Sequence, residues 1–209
     1  TATSSDIRER ARALLASERA LQDMFFGWGV GSRSLTQGQR LLSNLTLDGL
    51  LENGHIPMAT VATDLLSGER VIIRQGNAAK AVYASAALPG LLPPLATGEQ
   101  LLADGSYVDS APVDVAREFG CEIVIVVNSQ QLQDHPAINN GFQAIFRAME
   151  ICHHEHSQLR FNKADLVLQP PFPFAINVLD FRHKRLCVAT GLRAVRNNKK
   201  QLRQLLTIR

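Results

Sequence analysis

Cysteine is scarce in this chain, with three in 209 residues. Cys121, Cys152 and Cys187 are odd in number and far apart, which argues against a disulfide framework and points towards a reducing compartment. No apolar run approaches the roughly 18 residues needed to cross a bilayer. The N-terminus shows no secretory signal pattern, although Thr1 is not an initiator methionine. The compartment expected from these features is the cytoplasm, with contact at a membrane periphery. Acidic residues are absent after Asp180, while Arg182, Lys184, Arg185, Arg193, Arg196, Lys199, Lys200, Arg203 and Arg209 remain. That basic end suits an anionic lipid or nucleic acid, or is simply a solvated helix face. No aromatic residues are interleaved with it for base stacking, so no nucleic-acid partner is expected. Repeats and low-complexity tracts are also missing.

What remains is ordinary globular composition. Apolar residues make up 45%, charged residues 20%, and the net charge is +3. The length fits one domain with a real core.

The informative stretch is Leu101-Leu102-Ala103-Asp104-Gly105-Ser106-Tyr107-Val108. A short apolar run ending in Asp-Gly reads as a buried strand whose last side chain emerges at the sheet edge. The glycine after it can take a positive φ. An isolated Asp-Gly is more often a plain turn.

Before it, Met58–Asp64 and Arg70–Arg74 alternate as strands around the turn Leu66-Ser67-Gly68-Glu69. Asp64 and Glu69 fit turn and surface positions better than a catalytic carboxylate pair. Ala78–Ala87 is an alanine-rich helix stopped by Leu88-Pro89-Gly90, followed by a Pro-Pro loop to Leu95. Ser85 lies in that helix without Gly-x-Ser-x-Gly around it, which suits a backbone-bonded serine rather than a nucleophile. Nearer the start, Asp6 with Glu9 and Thr36 with Gln39 form capping boxes for helices. Gly27–Ser34 is a glycine-rich loop that does not fit Gly-x-Ser-x-Gly either.

After Asp104, Pro112 opens a helix over Val113–Phe119 that Gly120 ends. Cys121–Val127 is a continuous apolar run, as expected of a strand buried on both faces. A polar loop over Asn128–Asn140 leads to a helix of about 20 residues carrying Phe142, Ile145, Phe146, Met149 and Leu159. Cys152 and His156 share a face of that helix, but His183 and Cys187 are the only distant ligand candidates. No metal or cofactor is expected. Ala164–Gln169 reads as a short strand, Pro170–Phe174 as a stiff apolar loop, and Gly191 onward as a terminal amphipathic helix with a basic face.

Four of these pieces resemble the patatin-like phospholipase family, in the family's order. They are Val61–Leu65 with Ser67-Gly68-Glu69, Ala84–Gly90 with Pro93-Pro94, Ala103-Asp104-Gly105-Ser106 with Pro112-Val113, and Gly120–Val127. Ser106 departs from the Gly or Ala usual at its position. The family's glycine-rich loop and Gly-x-Ser-x-Gly turn are not in these residues, so the chain resembles the later part of such a domain.

The resemblance implies an α/β fold, with a mostly parallel sheet flanked by helices and the N-terminal strands absent. It implies one partial domain over residues 1–209, with Met58–Asp64, Arg70–Arg74, Leu101–Ala103 and Cys121–Val127 in one sheet. It also implies a lipid acyl hydrolase using a Ser-Asp dyad, of which this chain holds the base, Asp104, and not the serine. Asp109 receives no role. The implied partners are a lipid or acyl-ester substrate, a membrane surface at the basic C-terminal helix, and a second copy at an open sheet edge. The alternative is a non-catalytic patatin-like remnant that binds lipid or protein.

Overall fold

In a computed structural model, the turn between the first two strands does what its glycine predicts. Gly68 sits at φ 75°, and its N–H reaches the Asp64 carbonyl at 2.8 Å. The turn closes β1 (Thr60–Asp64) against β2 (Arg70–Ile73) as an antiparallel hairpin, Thr60 opposite Ile73 and Thr63 opposite Arg70. The structure describes residues 40, 42–46, 48–89, 92–130, 132, 138–174, 176 and 181–207. The expected helix after Asp6, the Gly27–Ser34 loop and the Thr36–Gln39 box lie outside these residues. The chain divides into two compact units, Thr1–Ser110 and Ala111–Arg209.

In the first unit, α1 (Ala78–Ala86) begins at Asn77, whose side chain accepts the Lys80 N–H at 2.9 Å. Its small residues bring its backbone close to the sheet. Ala81, Ala84 and Ala87 are buried, and the Thr60 hydroxyl donates to the Ala81 carbonyl at 3.2 Å. β3 (Leu95–Thr97) and β4 (Gln100–Asp104) form a second hairpin through Gly98 and Glu99, with Gly98 at φ 57°. The sheet order is β2-β1-β4-β3, antiparallel throughout. Ala62, Leu95 and Leu102 meet Tyr83, Ala84, Ala87 and Leu92 in its core. The Tyr83 hydroxyl donates to the Pro93 carbonyl at 2.7 Å, and burial pushes that phenol up to about 12.

In the second unit, α2 (Val113–Glu118) ends at Gly120, φ 84°. β5 (Ile125–Val127) pairs in parallel with β6 (Leu166–Leu168). The approach to β5 is fixed by Arg117. Its guanidinium donates to the carbonyls of Cys121 and Glu122 and to the Asp165 carboxylate, the last at 2.6 Å. Asp165 also accepts the Val124 N–H at 2.7 Å. That N–H first, and then Arg117, hold the Asp165 carboxyl below the ordinary range. α3 (Gly141–Phe161) is the long helix expected, capped by Asn140. α4 (Lys184–Asn197) and α5 (Lys199–Thr207) close the described chain.

The α/β class stands, and three details differ from expectation. First, parallel pairing is confined to β5–β6 among the described residues, and β5 does not join β1, β2 and β4 in one sheet. β1–β2 and β3–β4 are antiparallel hairpins, closed by the short turns 65–69 and 98–99, and β1 also runs antiparallel to β4. Second, the apolar run Cys121–Val127 is a strand only from Ile125, and Ile125 and Val127 are exposed. A continuous apolar run is buried on both faces only where both faces are covered, and here Val124 alone is fully buried. Third, the terminal helix begins at Lys184, well before Gly191, and breaks at Asn198. The apolar period over Leu186–Leu192 carries it through the glycine.

Candidate active site

Register decides which way Asp104 points. Ala62 lies opposite Asp104, and Asp64 lies opposite Leu102. With a two-residue period, Ala62, Asp64, Leu102 and Asp104 share the face on which α1 packs. Asp104 is the last residue of β4 and the N-cap of the short 3-10 turn Gly105–Tyr107. Its backbone is held on both sides. Its N–H donates to the Ala87 carbonyl at the end of α1, at 3.0 Å. Its carbonyl accepts the Thr63 hydroxyl at 2.7 Å. The side chain is half-buried, and Oδ1 accepts the Ser106 N–H at 2.8 Å. Oδ2 accepts no hydrogen bond among the described residues, which leaves it as the oxygen able to take a proton. Because Ser106 contributes its backbone, a serine in place of Gly or Ala keeps this contact.

Gly105 is required for a different reason from the one its Asp-Gly setting suggests. It is not among the residues with positive φ. A Cβ there would lie 2.0 Å from the Val61 carbonyl oxygen, so β4 can turn close under β1 only with hydrogen at this position. Tyr107 follows one turn later. Its phenol is pushed up by burial, and further by the negative charge of Asp104, so it stays a neutral neighbour of the carboxylate.

The other candidates are structural. Asp64 is buried and saturated: Oδ1 accepts the N–H groups of Leu66 and Leu101, each at 3.1 Å, and Oδ2 accepts the Ser67 hydroxyl at 2.9 Å. The Leu101 and then the Leu66 N–H groups lower its pKa from the ordinary value. It does not pair with Glu69, which is exposed in the turn. Asp109, given no role by the sequence, is 2% exposed and bonds the Arg70 guanidinium at 2.5 Å. No spacing signal marks this pair, because 39 residues separate its members. Thr63 and Ala87, which position Asp104, were likewise invisible as partners; only the fold brings them to it. Ser85 stays within α1, half-buried.

Cys152 is exposed and His156 half-buried on α3. Among the described residues no three His, Cys, Asp or Glu side chains are grouped to hold a metal. His183 instead meets Phe174 edge-on, with ring centroids 5.1 Å apart. A groove of about 610 Å³ opens on the α1 face, lined by Val71, Ile73, Lys80, Leu95, Gln100 and Leu102 among others. Asp104 is not in its lining, so the groove and the carboxylate are separate features of that face.

Comparison with known proteins bears on this geometry. An uncharacterized NTE family protein of Mycobacterium tuberculosis is 34% identical over 110 residues, covering 50% of this chain and 18% of that protein. Patatin-like phospholipase domain-containing protein 7 of Rattus norvegicus is 28% identical over 138 residues, covering 65% of this chain and 10% of that protein. Lysophospholipase NTE1 of Cryptococcus neoformans is 37% identical over 84 residues, covering 40% and 5%. The aligned part is thus 18% or less of the length of these relatives. The family model described as patatin-like phospholipase matches residues 10–117, half of the chain, including both hairpins, α1 and Asp104. The chain therefore belongs to the patatin-like phospholipase family.

Proposed function

We propose that this chain is part of one patatin-like lipid acyl hydrolase domain, in which Asp104 is the base of a Ser-Asp dyad. The observation that carries the reading is the Asp104 carboxylate, fixed at a strand end by Ala87, Thr63 and Ser106 with Oδ2 open. Such a group suits a serine hydroxyl brought from outside these residues, since the sequence contains no Gly-x-Ser-x-Gly. As the hydroxyl oxygen attacks the ester carbonyl, its proton passes to Oδ2 and then to the leaving alcohol. Water reverses the sequence to free the acid. A carboxylate is a weak base for an alcohol, so the chemistry also needs donors aimed at the oxyanion. The lysophospholipase among the relatives favours a lysophospholipid or similar acyl ester as substrate. The same reading includes a cytoplasmic location, peripheral membrane contact at the basic C-terminal helices, and self-association through an exposed strand.

The test is Asp104→Asn in the complete, serine-bearing protein. An amide cannot accept the proton, and loss of a catalytic base lowers turnover by about 10²–10⁴-fold. The 209-residue chain alone should leave a short nitrophenyl ester intact. Full activity in Asp104→Asn would remove Asp104 from the mechanism. Hydrolysis by the isolated chain, abolished in Ser85→Ala or Ser34→Ala, would place the nucleophile elsewhere. A complete protein with no serine in a nucleophile turn would be the non-catalytic remnant.

A further inference from the structure

The two terminal helices carry apolar side chains on their outer surface, where a solvated helix would carry polar ones. In α4, Thr190 and Ala194 are the buried residues. On another side of the same helix, Val188, Leu192 and Val195 are 66%, 54% and 45% exposed. Their spacing of four and three residues aligns them in one stripe. Arg185 lies one turn before Val188, and Arg196 one turn after Leu192, so exposed guanidinium groups flank the stripe. In α5, Leu206 is 70% exposed, one turn after exposed Arg203, and Lys199 and Lys200 are exposed as well. No acidic residue lies anywhere in α4 or α5.

We propose that the Val188-Leu192-Val195 stripe and its flanking cations dock on an anionic lipid surface, with α4 lying in the plane of the headgroups. Charge selects the occupant: the cations have no acidic counterpart on either helix, so a matching partner must be anionic. The aliphatic side chains then distinguish a lipid surface from a nucleic acid, since they can enter the acyl boundary but offer no face for base stacking. No helix among the described residues is long and apolar enough to cross a membrane, so the helix lies on the surface. This deepens the lipid reading above by naming the contact face and the headgroup charge, and it involves no hydrolytic step.

The experiment is co-sedimentation of the 209-residue chain with vesicles of phosphatidylcholine mixed with phosphatidylserine, against phosphatidylcholine alone. Binding is expected to the mixed vesicles only, and to fall with added salt. Each cation near such a surface contributes about five-fold, so Arg185→Gln with Arg196→Gln should weaken it about 25-fold. Val188→Ser with Leu192→Ser should weaken it too, at unchanged net charge. Far-UV circular dichroism checks that both variants fold; if one does not, the salt titration of the unaltered chain still reads the electrostatic part. Asp104→Asn should bind like the parent, which separates this surface from the hydrolase reading. Any of four results overturns the proposal: equal binding to neutral vesicles, no binding, tighter binding to polyuridylate, or a dimer broken by Leu192→Ser.

Discussion

Asp64 and Asp104 show how one residue type on one sheet face takes two roles. Both belong to the paired strands β1 and β4 and face α1. Asp64 is spent on three donors, two in its own turn and the distant Leu101 N–H, that hold the hairpin and the start of β4, whereas Asp104 has a single side-chain donor. The donors on Asp64 predict a pH dependence. The folded pKa of Asp64 is lowered, so its charge stabilises the fold fully above the unfolded value of about 3.9. That contribution is lost as pH falls through the lower folded value. Asp64→Asn should therefore be less stable than the parent at pH 7, and the gap should close as pH falls towards 2. Urea midpoints across that range measure it; a gap independent of pH would mean that the charge of Asp64 does not matter. Little of this contrast was legible. Asp104 stands out through its neighbours, but its backbone is held by the Ala87 carbonyl, which accepts its N–H, and by the Thr63 hydroxyl, which donates to its carbonyl, and no spacing links either residue to it. Gly105 is expected to use a positive φ, whereas it serves a close approach to Val61 that leaves no mark in the local sequence.

Elements whose cause is local were read well. The Ser67-Gly68 turn, the alanine-rich α1, the Gly120 stop and the long α3 follow from a few adjacent residues each. Asn77, which the sequence reading does not single out, is such a local cause: its side chain accepts the Lys80 N–H at the start of α1. Asn77→Ala should cost about 1 kcal/mol in a denaturant titration. No loss at all would mean that water or a neighbour replaces the cap. Elements whose character depends on neighbours were read poorly. Leu95, expected to end the Pro-Pro loop, instead opens a strand that pairs with β4. Cys121–Val127 passed for a doubly buried strand because an apolar run records hydrophobicity and not what covers it. α4 passed for a shorter helix because Gly191 looked like a boundary; a helix interior tolerates glycine at a cost of about 1 kcal/mol.

At the scale of the whole molecule, the surplus of apolar surface is the feature still to be explained. β5 has one neighbour, β6, among the described strands, and alternate residues Ile125 and Val127 are 42% and 66% exposed. Two adjacent exposed aliphatic side chains on a short strand with little pairing favour contact with another chain. The relatives are several times longer than the aligned part. For the 209-residue chain alone, the expectation is self-association through β5. Sedimentation velocity at increasing concentration should show a species heavier than the 22.9 kDa monomer. Ile125→Lys with Val127→Lys should shift the chain to monomer, because like charges on the same strand face repel where aliphatic groups would pack. The basic helices offer a competing route to association, and the two are separable: the β5 variant leaves vesicle binding intact, and the Val188→Ser with Leu192→Ser variant leaves the β5 contact intact. A parent chain that stays monomeric at tens of micromolar would show that Ile125 and Val127 tolerate water. The exposed strand would then carry no information about partners.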